Sequence, residues 1–261
     1  MAAIDYGMLA NELQRAEQEK RELVRLTAKY PEMTVEDAYA IQERLVDMKR
    51  KDGYRIIGPK MGLTSAAKMA QMGVNEPIYG YVFDYMVVPN GGAVAMSGLI
   101  HPKVEAEIAF ILKQDVKGPG VTGEHILNAT EYIVPALEII DSRYANFHFT
   151  LPDVIADNAS SSRVVFGSRL VPPSSLELDV LGVSLSINGE AKAFGAGAAV
   201  LGHPANTIAM LANMLARKGE SLKAGDVILA GAMTEAIRFA AGDAVLALFD
   251  QLGTVLFRAT E

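Results

Sequence analysis

Glu105 and Glu107 stand two residues apart in Val104-Glu105-Ala106-Glu107-Ile108, and Glu138 interrupts the apolar run Ile133-Val134-Pro135-Ala136-Leu137-Glu138-Ile139-Ile140. In a strand, alternation puts Glu105 and Glu107 on one face, about 7 Å apart, with Val104, Ala106 and Ile108 on the other. Two like charges so placed destabilise the strand unless water or a cation comes between them. An ionised Glu138 inside a core strand is costly unless it is paired or binds a metal. Three carboxylate oxygens suit a hard divalent cation, Mg2+ or Mn2+, with water or substrate in the remaining octahedral positions. A second reading stands beside this one: Glu105 and Glu107 face water from an edge strand, and Glu138 pairs with an arginine. The apolar flanks of Glu138 favour the metal.

Lys60 lies in Ile56-Ile57-Gly58-Pro59-Lys60-Met61-Gly62-Leu63-Thr64-Ser65, which reads as a strand leaving through a glycine turn into a helix. From there the ammonium can meet a substrate carboxylate or enolate oxygen, and the backbone at Gly62 and Leu63 can receive an anion. A solvated surface lysine is the alternative. Asp157-Asn158-Ala159-Ser160-Ser161-Ser162 offers hydroxyls and an amide to a carboxylate, or is simply a polar turn. Arg143, just after the Glu138 strand, either serves an anionic substrate or pairs with Asp141. His203 before Pro204 is a helix-start residue or a base. The run of small residues from Gly195 to Gly202 lacks a preceding strand in a βαβ unit and a following acid, so it is not a dinucleotide loop. Neither a G-x-S-x-G elbow nor a Ser-His-Asp signature is present.

The elements that must position these residues change character near residue 54. Residues 5–51 read as helical: a first helix over 5–28, ended at Tyr30-Pro31, and a second capped by Thr34 with Asp37 three residues on. In the second, Ala38, Ile41, Leu45 and Met48 fall at helical spacing and Gly53 closes it. Strands are expected over 55–62, 104–112, 133–140, 164–166, 183–187, 227–229, 244–249 and 254–258. Helices are expected over 65–72 and 204–218, the latter the one clear helix among the strands. Asn188-Gly189 and Leu252-Gly253 mark hairpin turns. Strands do not alternate strictly with helices, so the fold class is α+β: a helical N-terminal lobe, 1–53, and a core, 54–261, built on a mixed, strongly curved sheet.

Half of the 261 residues are hydrophobic and 21% are charged, enough for a substantial core. Cysteine is absent, which removes thiolate catalysis, disulfides and Cys-ligated metals and fits a reducing cytoplasm. The first 20 residues lack the pattern of a signal peptide. No run approaches the ~18 apolar residues of a membrane span. A net charge of −7 argues against a nucleic-acid partner. It leaves room for an anionic small substrate if a metal, Lys or Arg supplies local positive charge.

Lys60-Met61-Gly62-Leu63-Thr64-Ser65, residues 104–109, Pro135-Ala136-Leu137-Glu138, Ala156-Asp157-Asn158-Ala159-Ser160 and Leu201-Gly202-His203-Pro204 together resemble the fumarylacetoacetate hydrolase superfamily. More narrowly, they resemble its hydratase/decarboxylase branch from the meta-cleavage pathways of aromatic catabolism. The resemblance runs over nearly the whole chain. Residues 68–80, 141–144 and 195–200 look like the decarboxylases of that branch, whereas its hydratases carry an aspartate where this chain has Ile78. The superfamily's hydrolases often have Thr-Gly-Thr where this chain has Ala230-Gly231-Ala232. The resemblance implies a fumarylacetoacetase-like core and metal-dependent decarboxylation of 2-oxo-3-hexenedioate to 2-hydroxypenta-2,4-dienoate and CO2. It implies Mg2+ or Mn2+ on Glu105, Glu107 and Glu138, and Lys60 as the catalytic cation. Ser160, Ser161, Gly62 and Leu63 would contact the 2-oxo dicarboxylate substrate. It also implies a homo-oligomer and a complex with 2-oxopent-4-enoate hydratase. The alternatives within the superfamily are the hydratase itself and an acylpyruvate-type C–C hydrolase, for which His203 would be the base.

Overall fold

The computed structural model describes residues 4–261, apart from the side chains of Lys68, Gln71 and Met72, so the resemblance carried by those three and any reading of residues 1–3 lie outside it. The chain opens with helices α1 (Tyr6–Glu19), α2 (Leu26–Lys29) and α3 (Val35–Lys51). The single helix expected over 5–28 is two pieces. Lys20 turns left-handed at φ 52°, and the backbone N–H groups of Lys20 and Arg21 cap the last carbonyls of α1. Leu23 then hydrogen-bonds in extended form to the carbonyl of Arg143, a tertiary contact that overrides helical propensity. The cap of α3 is as the sequence predicts: Asp37 N–H donates to Thr34 Oγ1, and Thr34 N–H donates to Asp37 Oδ2.

Beyond α3 come β1 (Ile56–Gly62), α4 (Ala66–Met72), β2 (Ile78–Phe83), β3 (Val87–Val88), β4 (Ala93–Ala95), β5 (Lys103–Leu112), α5 (Gly123–Ala129) and β6 (Thr130–Ile140). They are followed by α6 (Leu151–Ala156), β7 (Ser161–Phe166), β8 (Gly182–Ile187), β9 (Glu190–Ala196) and α7 (Pro204–Ala216). The chain finishes with β10 (Val227–Leu229), β11 (Ile237–Arg238), β12 (Ala244–Phe249) and β13 (Gly253–Thr260). Thus α5 and α6 join α7 among the strands. Their six or seven residues are too short to show a helical period, and caps on Thr122 and Thr150 define them instead.

Eight strands form one sheet in the order β2-β1-β10-β5-β6-β7-β3, with β11 also on β5. It is mixed: β1 with β10 and β3 with β7 are parallel, and the other pairs antiparallel. In a flat sheet β2 and β7 would stand about 24 Å apart, five strand spacings. Here they are in contact, so the sheet curls into a half-barrel. Val82, Phe83, Ala109, Val134, Ala136, Val164 and Leu229, drawn from β2, β5, β6, β7 and β10, pack together with Val46 and Met86 as an apolar plug inside the curl. The main core includes Val104, Ala106, Ile108 and Phe110 on the opposite face of β5 and runs on as one cluster to Leu9 and Leu13 of α1 and Ile41 and Leu45 of α3. The remaining strands form a five-stranded sheet, β4-β13-β12-β8-β9, whose β13 packs on β6 and β7.

Candidate metal centre

The alternation of β5 does what its sequence demands. Val104, Ala106 and Ile108 enter the main core, and Glu105 and Glu107 point into the curl, in line with Ala109 of the plug. β5 is flanked on both sides, by β6 and by β10 with β11, so the exposed-edge alternative for the two glutamates does not apply. Antiparallel pairing sets Glu138 directly opposite Glu105 and Ala136 opposite Glu107. Each of the three glutamates offers an oxygen within 4.8 Å of the others'. Their exposures are 7%, 0% and 1% for Glu105, Glu107 and Glu138.

One neighbour of β5 is interrupted at this level. β10 stops at Leu229 and β11 starts at Ile237, and the intervening loop follows β5 irregularly. Ala230 N–H donates to Ile108 O, Met233 N–H to Ala106 O, and Ala106 N–H to Thr234 Oγ1. This detour lets Gly231 N–H donate to Glu107 Oε2 at 2.9 Å. Gly231 sits at φ 112° against Thr64, whose Oγ1 would lie 2.2 Å from a Cβ at this position, so only glycine fits.

Lys60 enters from β1 and is 2% exposed; it is not a solvated surface lysine. Its Nζ lies 2.9 Å from Glu138 Oε2 and donates to the Ala159 carbonyl at 3.1 Å. Burial opposes its charge, but the attraction of Glu138, Glu107 and Glu105 outweighs that and holds its pKa above the ordinary value. Burial, and then the Glu138 charge, push the Glu107 carboxyl well above the usual carboxylate range, against the pull of Lys60 and the Gly231 N–H. Glu138 is likewise raised, chiefly by burial, with Lys60 pulling the other way.

Two carboxylates about 4 Å apart repel by roughly 4 kcal/mol at an effective dielectric of about 20. A single ammonium does not neutralise three of them. Glu107 Oε1 and Glu138 Oε1 are buried without a hydrogen-bond partner among the described residues. Unsatisfied oxygens on an all-carboxylate donor set fit a hard divalent cation.

The other expected site residues divide. Gly62 pairs with Ile78 across β1 and β2, and a Cβ on Gly62 would meet Ile78 Cγ1 at 3.1 Å and Ala159 Cβ at 3.9 Å. The exit from β1 therefore lies against the turn that carries Ser160. Leu63 follows with φ 56°. Ser160 is 3% exposed, and its Oγ is buried without a partner among the described residues. The Ser161 hydroxyl instead donates to Met86 Sδ at 3.7 Å, on the plug side. Arg143 pairs not with the Asp141 carboxylate but with that of Asp157, and also bonds the backbone carbonyls of Asp157, Asp141 and Ser161. Its guanidinium, 3% exposed, is a brace beneath the serine turn. His203 caps α7 through Nδ1, which accepts from Ala205 N–H. The Ala159 carbonyl and the Gly231 N–H are the contacts that side-chain patterns missed, since backbone groups leave no residue-type signal.

A family model for the fumarylacetoacetate (FAA) hydrolase C-terminal region matches residues 46–259. Over 250 residues the chain is 48% identical to 4-oxalocrotonate decarboxylase of Pseudomonas putida, covering 96% of this chain and 95% of that one. It is 42% identical over 212 residues to 2-hydroxypent-2,4-dienoate hydratase of Pseudomonas putida, covering 81% and 96%. The solved structure of 4-oxalocrotonate decarboxylase from Pseudomonas putida G7, complexed with magnesium and adipate, matches with a TM-score of 0.97 at 45% identity, over 99% of this chain and 100% of that one.

Proposed function

The chain belongs to the FAA hydrolase family, and from that premise we propose that it is a divalent-metal-dependent lyase converting 2-oxo-3-hexenedioate (4-oxalocrotonate) to 2-hydroxypenta-2,4-dienoate and CO2. The observation that carries the reading is the buried trio Glu105, Glu107 and Glu138 with Lys60 beside it, in a chain 48% identical to a decarboxylase of that substrate.

In the reaction the C5–C6 bond breaks and C6 leaves as CO2. The electron pair forms the C4–C5 double bond, the C3–C4 pair moves to C2–C3, and the 2-oxygen takes the charge and then a proton. A Mg2+ or Mn2+ ion held by Glu105, Glu107 and Glu138 would supply Lewis-acid stabilisation at the 1-carboxylate and 2-oxygen. Lys60 places its ammonium beside that oxygen, as a cation and proton donor. The Ser160 hydroxyl, with the backbone at Gly62 and Leu63, orients a substrate carboxylate, and Ser160 is better disposed than Ser161 because its hydroxyl is uncommitted. Ile78, beside Gly62 and 4% exposed, gives the wall an apolar side chain that can neither activate nor hold water. That favours loss of CO2 over hydration. His203, committed to its cap, does not serve as a hydrolytic base.

The product is the kind of 2-hydroxydienoate for which the hydratase relative is named. This supports a complex with a 2-oxopent-4-enoate hydratase. Among the described residues no helix is long and apolar enough to cross a membrane.

The test is CO2 release from 2-oxo-3-hexenedioate by the purified chain. EDTA should abolish it, Mg2+ or Mn2+ should restore it, and Glu107→Gln should lower it by at least about 100-fold. Hydration of 2-hydroxypenta-2,4-dienoate without CO2 release would transfer the assignment to the hydratase.

A further inference from the structure

Asn158, Ala159 and Ser160 hold φ of 51°, 51° and 56°, three consecutive left-handed residues none of which is glycine. Such a run persists only where its surroundings over-determine it. Asn158 supplies the main restraint. Its Nδ2 donates to the Tyr81 carbonyl at 2.9 Å, and its Oδ1 accepts from Tyr81 N–H at 2.8 Å. One amide therefore occupies both polar backbone groups of a residue on β2 and stitches the turn before β7 to the opposite side of the curl.

The approach is as close as backbones allow. A Cβ on Gly80, the partner of Lys60 across β1 and β2, would lie 2.5 Å from the Asn158 carbonyl oxygen. From behind, Ser160 N–H donates to Asp157 O, Asp141 N–H donates to Ser160 O, and Arg143 ties Asp157 to Ser161. The turn thereby aims the Ala159 carbonyl at Lys60.

A lysine ammonium carries three donors on a flexible stem, and one carboxylate partner leaves it free to swing. The Ala159 carbonyl accepts from one of these donors at 3.1 Å, and the Glu138 carboxylate, an ion-pair partner at 2.9 Å, holds the ammonium from a second side, so the two together set where its charge sits. We propose that Asn158 is a positioning residue of this site: by clamping Tyr81 it holds the left-handed turn whose Ala159 carbonyl, with the charge of Glu138, fixes the ammonium of Lys60 toward the substrate. The inference rests on the role given to Lys60 above.

Asn158→Leu keeps the volume and removes both hydrogen bonds. Gly80→Ala pushes the same turn from the other side without altering a polar side chain. Both should lower kcat by about 10- to 100-fold, the cost of misplacing a reacting group by about 1 Å. The Kd for Mg2+ should stay within about threefold of wild type, since Asn158 is not one of the three carboxylates, whereas KM rises only as far as Ser160 shifts with the turn. Asn158→Asp keeps the acceptor for Tyr81 N–H and loses the donor, and should fall between. Wild-type kcat in Asn158→Leu or Gly80→Ala overturns the proposal, as does a loss expressed only in Mg2+ affinity or melting temperature.

If Asn158→Leu does not fold, Gly80→Ala and Asn158→Asp decide. If the wild-type chain releases no CO2 with metal present, the functional reading fails. Crystal structures then decide the positioning claim separately: loss of the Lys60–Ala159 contact in Asn158→Asp supports it, and an unchanged contact overturns it.

Discussion

Lys60 and the three glutamates interact at a distance where each charge sets the state of the others. Lys60 reduces the repulsion among the carboxylates, yet it would also compete with a metal for Glu138. Lys60→Met should therefore lower CO2 release by about 100- to 1,000-fold, the usual cost of a lost charge-stabilising donor. Mg2+ should bind the variant at least as tightly as wild type. Steady-state rates and titration calorimetry together check this, and weakened Mg2+ binding would show that Lys60 organises the ligands rather than competing with them. The glutamates were legible in the sequence because each breaks a local rule, a charge pair on one strand face and a carboxylate within an apolar run. Arg143 was harder to place. Its identity suggested an anion site or a bond to nearby Asp141, but its partner carboxylate lies on Asp157, beyond the reach of a local pattern.

The strands that bury one face were legible from alternation, and β10 and β12 have the bounds expected of them. The capping box of α3 was legible too, because it is a contract between residues three apart. Elements held by tertiary contacts were not. α1 ends where Lys20 turns left-handed, and β2 carries a glycine within its six residues because Asn158 must approach it. α1 is tied to α3 through Lys49, whose Nζ meets Glu17 Oε2 at 2.6 Å, while Tyr85 Oη donates to Glu17 Oε1 at 2.7 Å. Burial would raise the Glu17 pKa, but Lys49, Arg143 and the hydroxyl of Tyr85 together hold it below its ordinary 4.5. A carboxylate lowered in the folded state contributes stability that is present above its unfolded pKa and lost as pH falls through the folded value. Glu17→Gln should therefore cost about 1–2 kcal/mol at neutral pH. The gap should close as pH falls below about 4.5, the ordinary value for Glu17. Melting curves of the two proteins between neutral pH and pH ~3 give the comparison. Parallel curves down to the lowest pH would remove Glu17 from the acid response.

At the scale of the whole molecule the curl creates two interiors. One is the main core between sheet and helices, continuous from Leu9 of α1 to Phe257 of β13. The other is the space inside the half-barrel, filled at one level by the apolar plug and lined at the next by Lys60 and the glutamates. A pocket built of mutually repelling buried acids is a weak point in the molecule that owns it. A cation selective for the folded state strengthens such a protein by RT ln(1 + [L]/Kd), about 2.7 kcal/mol at 100 times Kd. Mg2+ should therefore raise the melting temperature of the wild-type chain without any substrate present. Glu107→Gln, stripped of metal, should melt no lower than the stripped wild type and should gain little from added Mg2+. The chain would then owe part of its heat resistance to its cargo of ions, and a cell short of divalent metal would lose part of the protein's stability as well as the reaction.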